Sequence, residues 1–255
     1  MNEINIIVAI LILGLVITGL LEWLLRGVEE RSRAFKIFLV GALGWLVAYF
    51  TRLIPLQMIQ AIILSSLGAD LTDIESITAY SLNLSVLIWG PLFAALFEES
   101  IRTYVTIKHS PIREDKFRGP LLLGLGWATG EIMLSYIPNV LSLSYAPINY
   151  DFLLFLTGVF ERLIALTFHV SVSFLVFYTI WEAWPKISML LAMLFHFLLD
   201  ISIILWILFY GEAPTDLLPV WYMEITLFLV TLMTVFFTRF YWIPKKDAEI
   251  GTMTE

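Results

Sequence analysis

The sequence contains no cysteine. That removes disulfides, thiolate metal ligation and a cysteine nucleophile from consideration. Charge is also scarce: 15% of residues are Asp, Glu, Lys or Arg, against about 25% in soluble domains. There is no basic surplus either, since the formal net charge is −7. Nucleic-acid binding, which needs a basic face against phosphates, is excluded. Low-complexity tracts and repeats between the halves are missing as well. What remains is apolar: 60% of residues are hydrophobic and the mean hydropathy is +0.88. A disordered tail, a collagen-like fibre and a small disulfide scaffold are ruled out, and the composition is that of an integral membrane protein.

A spanning helix needs about 20 mostly apolar residues. Seven runs qualify: 4–25, 36–56, 80–107, 119–137, 152–183, 186–210 and 217–242. The first has no positively charged leader and no small-residue cleavage site, so it reads as a retained span. Pro55 interrupts the second, and residues 56–68, which include Gln57 and Gln60, read as a kinked extension or a short interfacial helix. The fifth is too long for a perpendicular crossing and is expected to tilt or project. Basic residues test this division independently. Arg26, Arg31, Arg33, Lys36, Arg102, Lys108, Arg113, Lys116, Arg118, Lys186, Arg239, Lys245 and Lys246 all fall on one side if the helices alternate. The opposite loops hold Asp70, Asp73, Glu75, Asp151, Glu212 and Asp216. Positive charge marks the cytoplasmic side. The expectation is an all-α, multi-pass protein of the cell membrane, a single domain over 1–255, with the N-terminus outside and the C-terminus inside. Arg52, near the outer end of its span, is expected to snorkel. Trp181, Trp184, Trp221 and Trp242 fit interfacial belts.

An ionisable side chain at bilayer depth costs at least about 2.5–3.5 kcal/mol, so it persists where it pairs, lines water or does chemistry. Such residues concentrate in four consecutive spans: Glu98, Glu99 and Arg102 in the third, Glu131 in the fourth, Glu161, Arg162 and His169 in the fifth, His196 and Asp200 in the sixth. Spans one and seven contribute essentially nothing internal. At about 1.5 Å per residue, Glu98, Glu131, His196 and His169 all lie roughly 12–20 Å from the basic end of their helices. Asp200 is one turn from His196 on the same face. The expectation is a polar site inside a four-helix core made by spans three to six, over about residues 80–210.

Each residue also has a plainer role open to it. Glu98 and Arg102 have the i, i+4 spacing of an ion pair, and His196 and Asp200 the spacing of a local pair. His169 alone fits a hydrogen-bonded core residue, and Glu161–Arg162 a structural pair with Glu131 or a neighbouring helix. Two adjacent carboxylates raise one another's pKa, which suits a general acid or base. Gly124, Gly126 and Gly130 carry the small-residue spacing of close helix packing.

Taken in order, Phe97-Glu98-Glu99-Ser100-Ile101-Arg102, Gly130-Glu131, Phe160-Glu161-Arg162, Phe168-His169 and His196-Phe197-Leu198-Leu199-Asp200 resemble the YhfC family of predicted intramembrane metalloproteases. That family is grouped with the CAAX prenyl proteases, the PrsW proteases and the multi-spanning scaffold subunit of gamma-secretase. The resemblance implies a water-activating glutamate at Glu98, with Glu99 as its rival. It implies that Arg102 positions the carboxylates, that His169 is the middle-motif histidine, and that His196 supports the water or the oxyanion. Glu131, Glu161 and Arg162 are supporting residues. Two departures stand out. Two residues, not three, separate Glu99 from Arg102, and Asp200 stands where the CAAX enzymes usually carry Asn. An ionised Asp has no hydrogen to give an oxyanion, so Asp200 is read as orienting His196. Zinc is left open as a cofactor: Glu98, His169, His196 and Asp200 are a plausible ligand set with a position left for water.

The implied activity is hydrolysis of a peptide bond in a buried cavity reached from the cytoplasmic side. Its partners would be membrane lipid and a membrane or lipid-anchored peptide. A non-catalytic scaffold and a proton-coupled transporter are the alternatives. Inverted repeats and paired broken helices, which would favour transport, are not evident. A retinal protein needs a lysine in the last span, and none precedes Lys245 there.

Overall fold

The computed structural model describes residues 2–26, 30–142, 145, 152–181, 185–210 and 217–251. Every regular element among them is helical: α1 (Asn2–Leu25), α2 (Arg31–Ser66), α3 (Ile74–Ser81), α4 (Leu84–Leu87), α5 (Trp89–Lys108), α6 (Ser110–Glu114), α7 (Arg118–Glu131), a π turn (Ile132–Tyr136), α8 (Ile137–Ser142), α9 (Phe152–Trp181), α10 (Pro185–Tyr210) and α11 (Leu217–Gly251). Seven helices are long and apolar enough to cross a membrane. This is a multi-pass helical membrane protein. Ile4, Leu15, Ile54, Met58, Phe209 and Phe236 are exposed on the outside of the bundle, where acyl chains are the solvent and intrahelical bonds satisfy the backbone.

Of the two readings open for residues 56–68, the extension holds: α2 runs on through Pro55 to Ser66. Proline removes one N–H and leaves the carbonyl four residues back without its helical donor; the rest of the ladder carries the helix across. Residues 74–81 form a separate helix begun by Asp73, whose side chain accepts from the Glu75 N–H. A new start at Asn83, which accepts from Ser85 N–H, then opens the third crossing at Leu84 rather than residue 80. The fourth crossing carries a π turn immediately after Glu131. Such turns re-aim the side chains around them, and here Tyr136 faces the Arg162 guanidinium at 5.6 Å from the ring centre. Of the tryptophans expected in interfacial belts, Trp221 is part-exposed, whereas Trp184 and the side chains of Trp181 and Trp242 lie outside the described part. The same holds for Asp151, Glu212, Asp216 and the side chains of Lys245 and Lys246.

α7 is the centre of the bundle, packed against α2 on one side and α9 on the other. The glycine spacing makes this possible. A Cβ on Gly126 would lie 2.0 Å from the Phe38 carbonyl oxygen of α2, and one on Gly124 would lie 2.5 Å from the Val170 Cα of α9. Backbone therefore meets backbone on both faces of α7, in the manner of small-residue membrane interfaces. Neither neighbour is a flexible side-chain end, so neither can step aside. Gly126→Ala is expected to cost about 1–3 kcal/mol in denaturant unfolding of the detergent-solubilised protein. Gly14→Ala, where a Cβ meets nothing within 4 Å, should leave the transition unchanged.

Candidate functional site

α5 provides the middle of the site. Its buried residues include the adjacent Glu98 and Glu99, with Arg102 one turn on, and a helix offers residues three and four apart as neighbours. The partners differ from those expected by spacing. Arg102 Nε stands 3.0 Å from Glu99 Oε2, with both side chains fully buried. Glu98 is paired instead with Arg52 of α2, Nη1 to Oε1 at 2.6 Å. The i, i+4 pairing of Glu98 with Arg102 is thus replaced by an i, i+3 pairing of Glu99. Arg52 does not snorkel to the surface: Glu98, a buried carboxylate, draws it inward. Trp127 of α7 links the two halves. Its indole N–H donates to Glu98 Oε2 at 3.0 Å, and the Arg102 guanidinium carbon lies 4.4 Å from the centre of its ring.

The histidines are fixed by these groups. Arg102 Nη1 donates to the His169 carbonyl oxygen at 2.9 Å and to Ser173 Oγ at 2.8 Å. Its Nη2 lies 2.9 Å from His169 Nδ1. Arginine only donates, so His169 Nδ1 accepts and Nε2 carries the hydrogen, which points to Glu131 Oε2 at 2.6 Å. His196 carries its hydrogen toward a carboxylate at the other nitrogen. Its Nδ1 faces Glu99 Oε1 at 2.7 Å, and a carboxylate can only accept, so the hydrogen is on Nδ1. Asp200 does not hold His196 by a hydrogen bond, being 3.6 Å from Nε2. Glu98 Oε2 is 3.9 Å from that same nitrogen. Arg162 bridges Glu131, at 2.6 Å, and its sequence neighbour Glu161, the structural pairing anticipated for these three residues.

A cavity of about 110 Å³ adjoins these groups, bordered by Arg52, Glu98, Glu131, Arg162, His196 and Asp200 among others. Gaps of 3.5 Å or more between polar groups are where a bridging water belongs, and the volume holds several. Glu99 and Arg102 do not border it. The part-exposed charged side chains are Arg52, Glu131, Glu161, Arg162 and Asp200, the last 29% exposed. By helix position they lie away from the basic loops, while Glu99, Arg102 and Ser173 are buried.

Three further residues stand outside the sequence expectation. Arg52 reads as interfacial from its position, although a lone arginine inside an apolar run calls for a buried acid. Glu224 of α11 is almost fully buried, and its Oε2 has no hydrogen-bond partner among the described residues. Span seven thus does carry an internal ionisable residue. Trp127 gave no signal beyond being one large residue in a run of small ones.

The four residues considered for zinc do not form a ligand set. Both ring nitrogens of His169 are occupied by Arg102 and Glu131, leaving no lone pair to offer. Among the described residues no three His, Asp or Glu side chains are disposed to hold a metal ion. Elemental analysis of the purified protein is expected to find far less than one zinc per chain. One tightly held zinc per chain would require His169 to leave its present partners. Removing a buried pairing partner should be costly: Arg102→Gln strands Glu99, and a loss of about 3–5 kcal/mol is expected, read from denaturant unfolding.

Comparisons with protein-family models, with curated proteins and with solved structures give no match for this chain.

Proposed function

We propose that this protein is an intramembrane endopeptidase that hydrolyses peptide bonds with a water activated by Glu98. The supporting observation is a carboxylate oxygen and an imidazole nitrogen meeting at the cavity. Glu98 Oε2 and His196 Nε2 stand 3.9 Å apart, and both residues border it. One water placed between them reaches both by hydrogen bonds. The ordered motif resemblance to the YhfC and CAAX-type proteases supports the same assignment.

The roles then divide. Glu98 takes a proton from the water as the oxygen adds to the amide carbonyl carbon, and it returns that proton to the departing amine nitrogen. Arg52, held on Glu98 Oε1 and bordering the cavity, meets the oxyanion with its remaining N–H groups. Glu99 is not the base: it has no exposed surface and is occupied by Arg102 and His196. It orients the His196 ring through Nδ1, as outer-shell carboxylates do. His169, Glu131, Arg162 and Glu161 form the wall behind, and Asp200 borders the entrance.

With positive charge on the cytoplasmic side, the N-terminus is outside and the cavity faces the outer half of the bilayer. The substrate is then a membrane-embedded peptide with its scissile bond in that half, in preference to a cytoplasmic lipid-anchored tail.

A transporter is the second reading. It is favoured by the chain of polar contacts from Glu161 through Arg162, Glu131, His169, Arg102 and Glu99 to His196, because linked acids and imidazoles also relay protons. Cleavage of quenched-fluorescent transmembrane peptides by the purified protein separates the two. Glu98→Gln and His196→Ala are expected to lower the rate by roughly 10²–10⁴-fold while both variants keep a cooperative unfolding transition. Undiminished cleavage by both would remove the proposal. Proton-driven flux in liposomes without any hydrolysis would favour transport, and neither activity a scaffold.

A further inference from the structure

At the other end of the bundle, a second concavity of about 390 Å³ lies between the end of α1 and the start of α7. It is lined by Trp23, Leu24, Arg26, Phe117 and Arg118. Its size falls within the roughly 300–1,000 Å³ of small-ligand sites. The charge around it is unbalanced. Neither the Arg26 nor the Arg118 guanidinium is within ion-pair distance of a carboxylate among the described residues. Of the acids near it, Glu30 and Glu114 both pair with Arg33, and Asp115 accepts the backbone N–H groups of Phe117 and Arg118. Among the described residues, two positive charges therefore share one pocket with no carboxylate at ion-pair distance.

Position and wall chemistry select the occupant. Arg26 follows the last residue of one apolar helix and Arg118 opens another, so both stand at the level of lipid headgroups. Trp23, 59% exposed, is the amphipathic aromatic expected at a membrane boundary, and Phe117, 45% exposed, adds an apolar ring beside it. Guanidinium forks match phosphate oxygens in pairs, and basic pockets between spanning helices take anionic headgroups. We infer that this pocket binds the phosphate of an anionic phospholipid, with Arg26 and Arg118 on the phosphate and Trp23, Leu24 and Phe117 against the glycerol and upper acyl carbons. The bound lipid ties the end of α1 to the helix that carries Trp127 and Glu131. This site is separate from the proposed catalytic cavity and does not depend on that assignment.

The test uses the full chain in an uncharged detergent, titrated with phosphatidylglycerol, phosphatidylcholine or sodium phosphate, and followed by Tm and by native mass spectrometry. Phosphatidylglycerol is expected to raise Tm saturably and to remain bound in the mass spectrum, while the other two do neither. Arg26→Gln/Arg118→Gln should weaken its apparent affinity roughly 30-fold with the lipid-free Tm unchanged. Arg31→Gln/Lys36→Gln removes the same charge outside the pocket and should retain it. Equal weakening by both double variants would reduce the effect to diffuse surface attraction and overturn the site. An equal response to phosphatidylcholine would overturn it too, and saturation by sodium phosphate alone would replace the lipid with a free anion.

Discussion

A guanidinium inside a lipid-facing bundle has to meet a carboxylate, and the architecture follows from that requirement. Carboxylates come from α5, α7, α9 and α10, and guanidiniums from α2, α5 and α9. Each guanidinium is within 3.0 Å of a carboxylate oxygen. A buried ion left single costs several kcal/mol, whereas a pair with its remaining hydrogen bonds satisfied is tolerated. The network therefore acts less as a source of stability than as a register mark. Helices that slide past one another by a turn lose several partners together.

Close packing of α7 serves the same end. Gly124 and Gly126 let backbone approach backbone on two sides, which brings Trp127 between Glu98 and Arg102. The π turn after Glu131 then lets that residue and Tyr136 both address Arg162. Rigid placement of this kind is what a hydrolytic site requires, because a base and the groups around it must be held before the water arrives. The cluster has two kinds of member. Glu99, Arg102 and Ser173 are sealed and hold others in place, while Glu98, His196, Asp200 and Arg52 border the cavity. That division separates the two adjacent glutamates, which sequence spacing leaves equivalent.

Glu224 stands outside the paired network. It is buried on α11 with one oxygen unpartnered among the described residues, on the helix whose Trp221 and Phe228 pack on Phe160 of α9. Its neighbours are the residues that lead to Arg162 and Glu161. A carboxyl in this position is a local weak point, since the hydrogen bond it lacks is the one that would offset its burial.

Composition and periodic hydrophobicity alone determined that this chain is a bundle of seven spanning helices. The lipid core admits no other use for runs of about 20 apolar residues. The same arithmetic picked out Glu98, Glu99, Arg102, Glu131, Glu161, Arg162, His169, His196 and Asp200, because each is expensive where it stands. Partner choice was not contained there. Spacing along α5 pointed Glu98 at Arg102, yet the pair that forms is Glu99 with Arg102, and Glu98 turns to Arg52, 46 residues away in sequence. Which of two adjacent carboxylates faces the cavity and which group each histidine nitrogen meets depend on how neighbouring helices are rotated about their axes. A one-dimensional pattern specifies which face of a helix is polar. Only packing in three dimensions decides what that face meets.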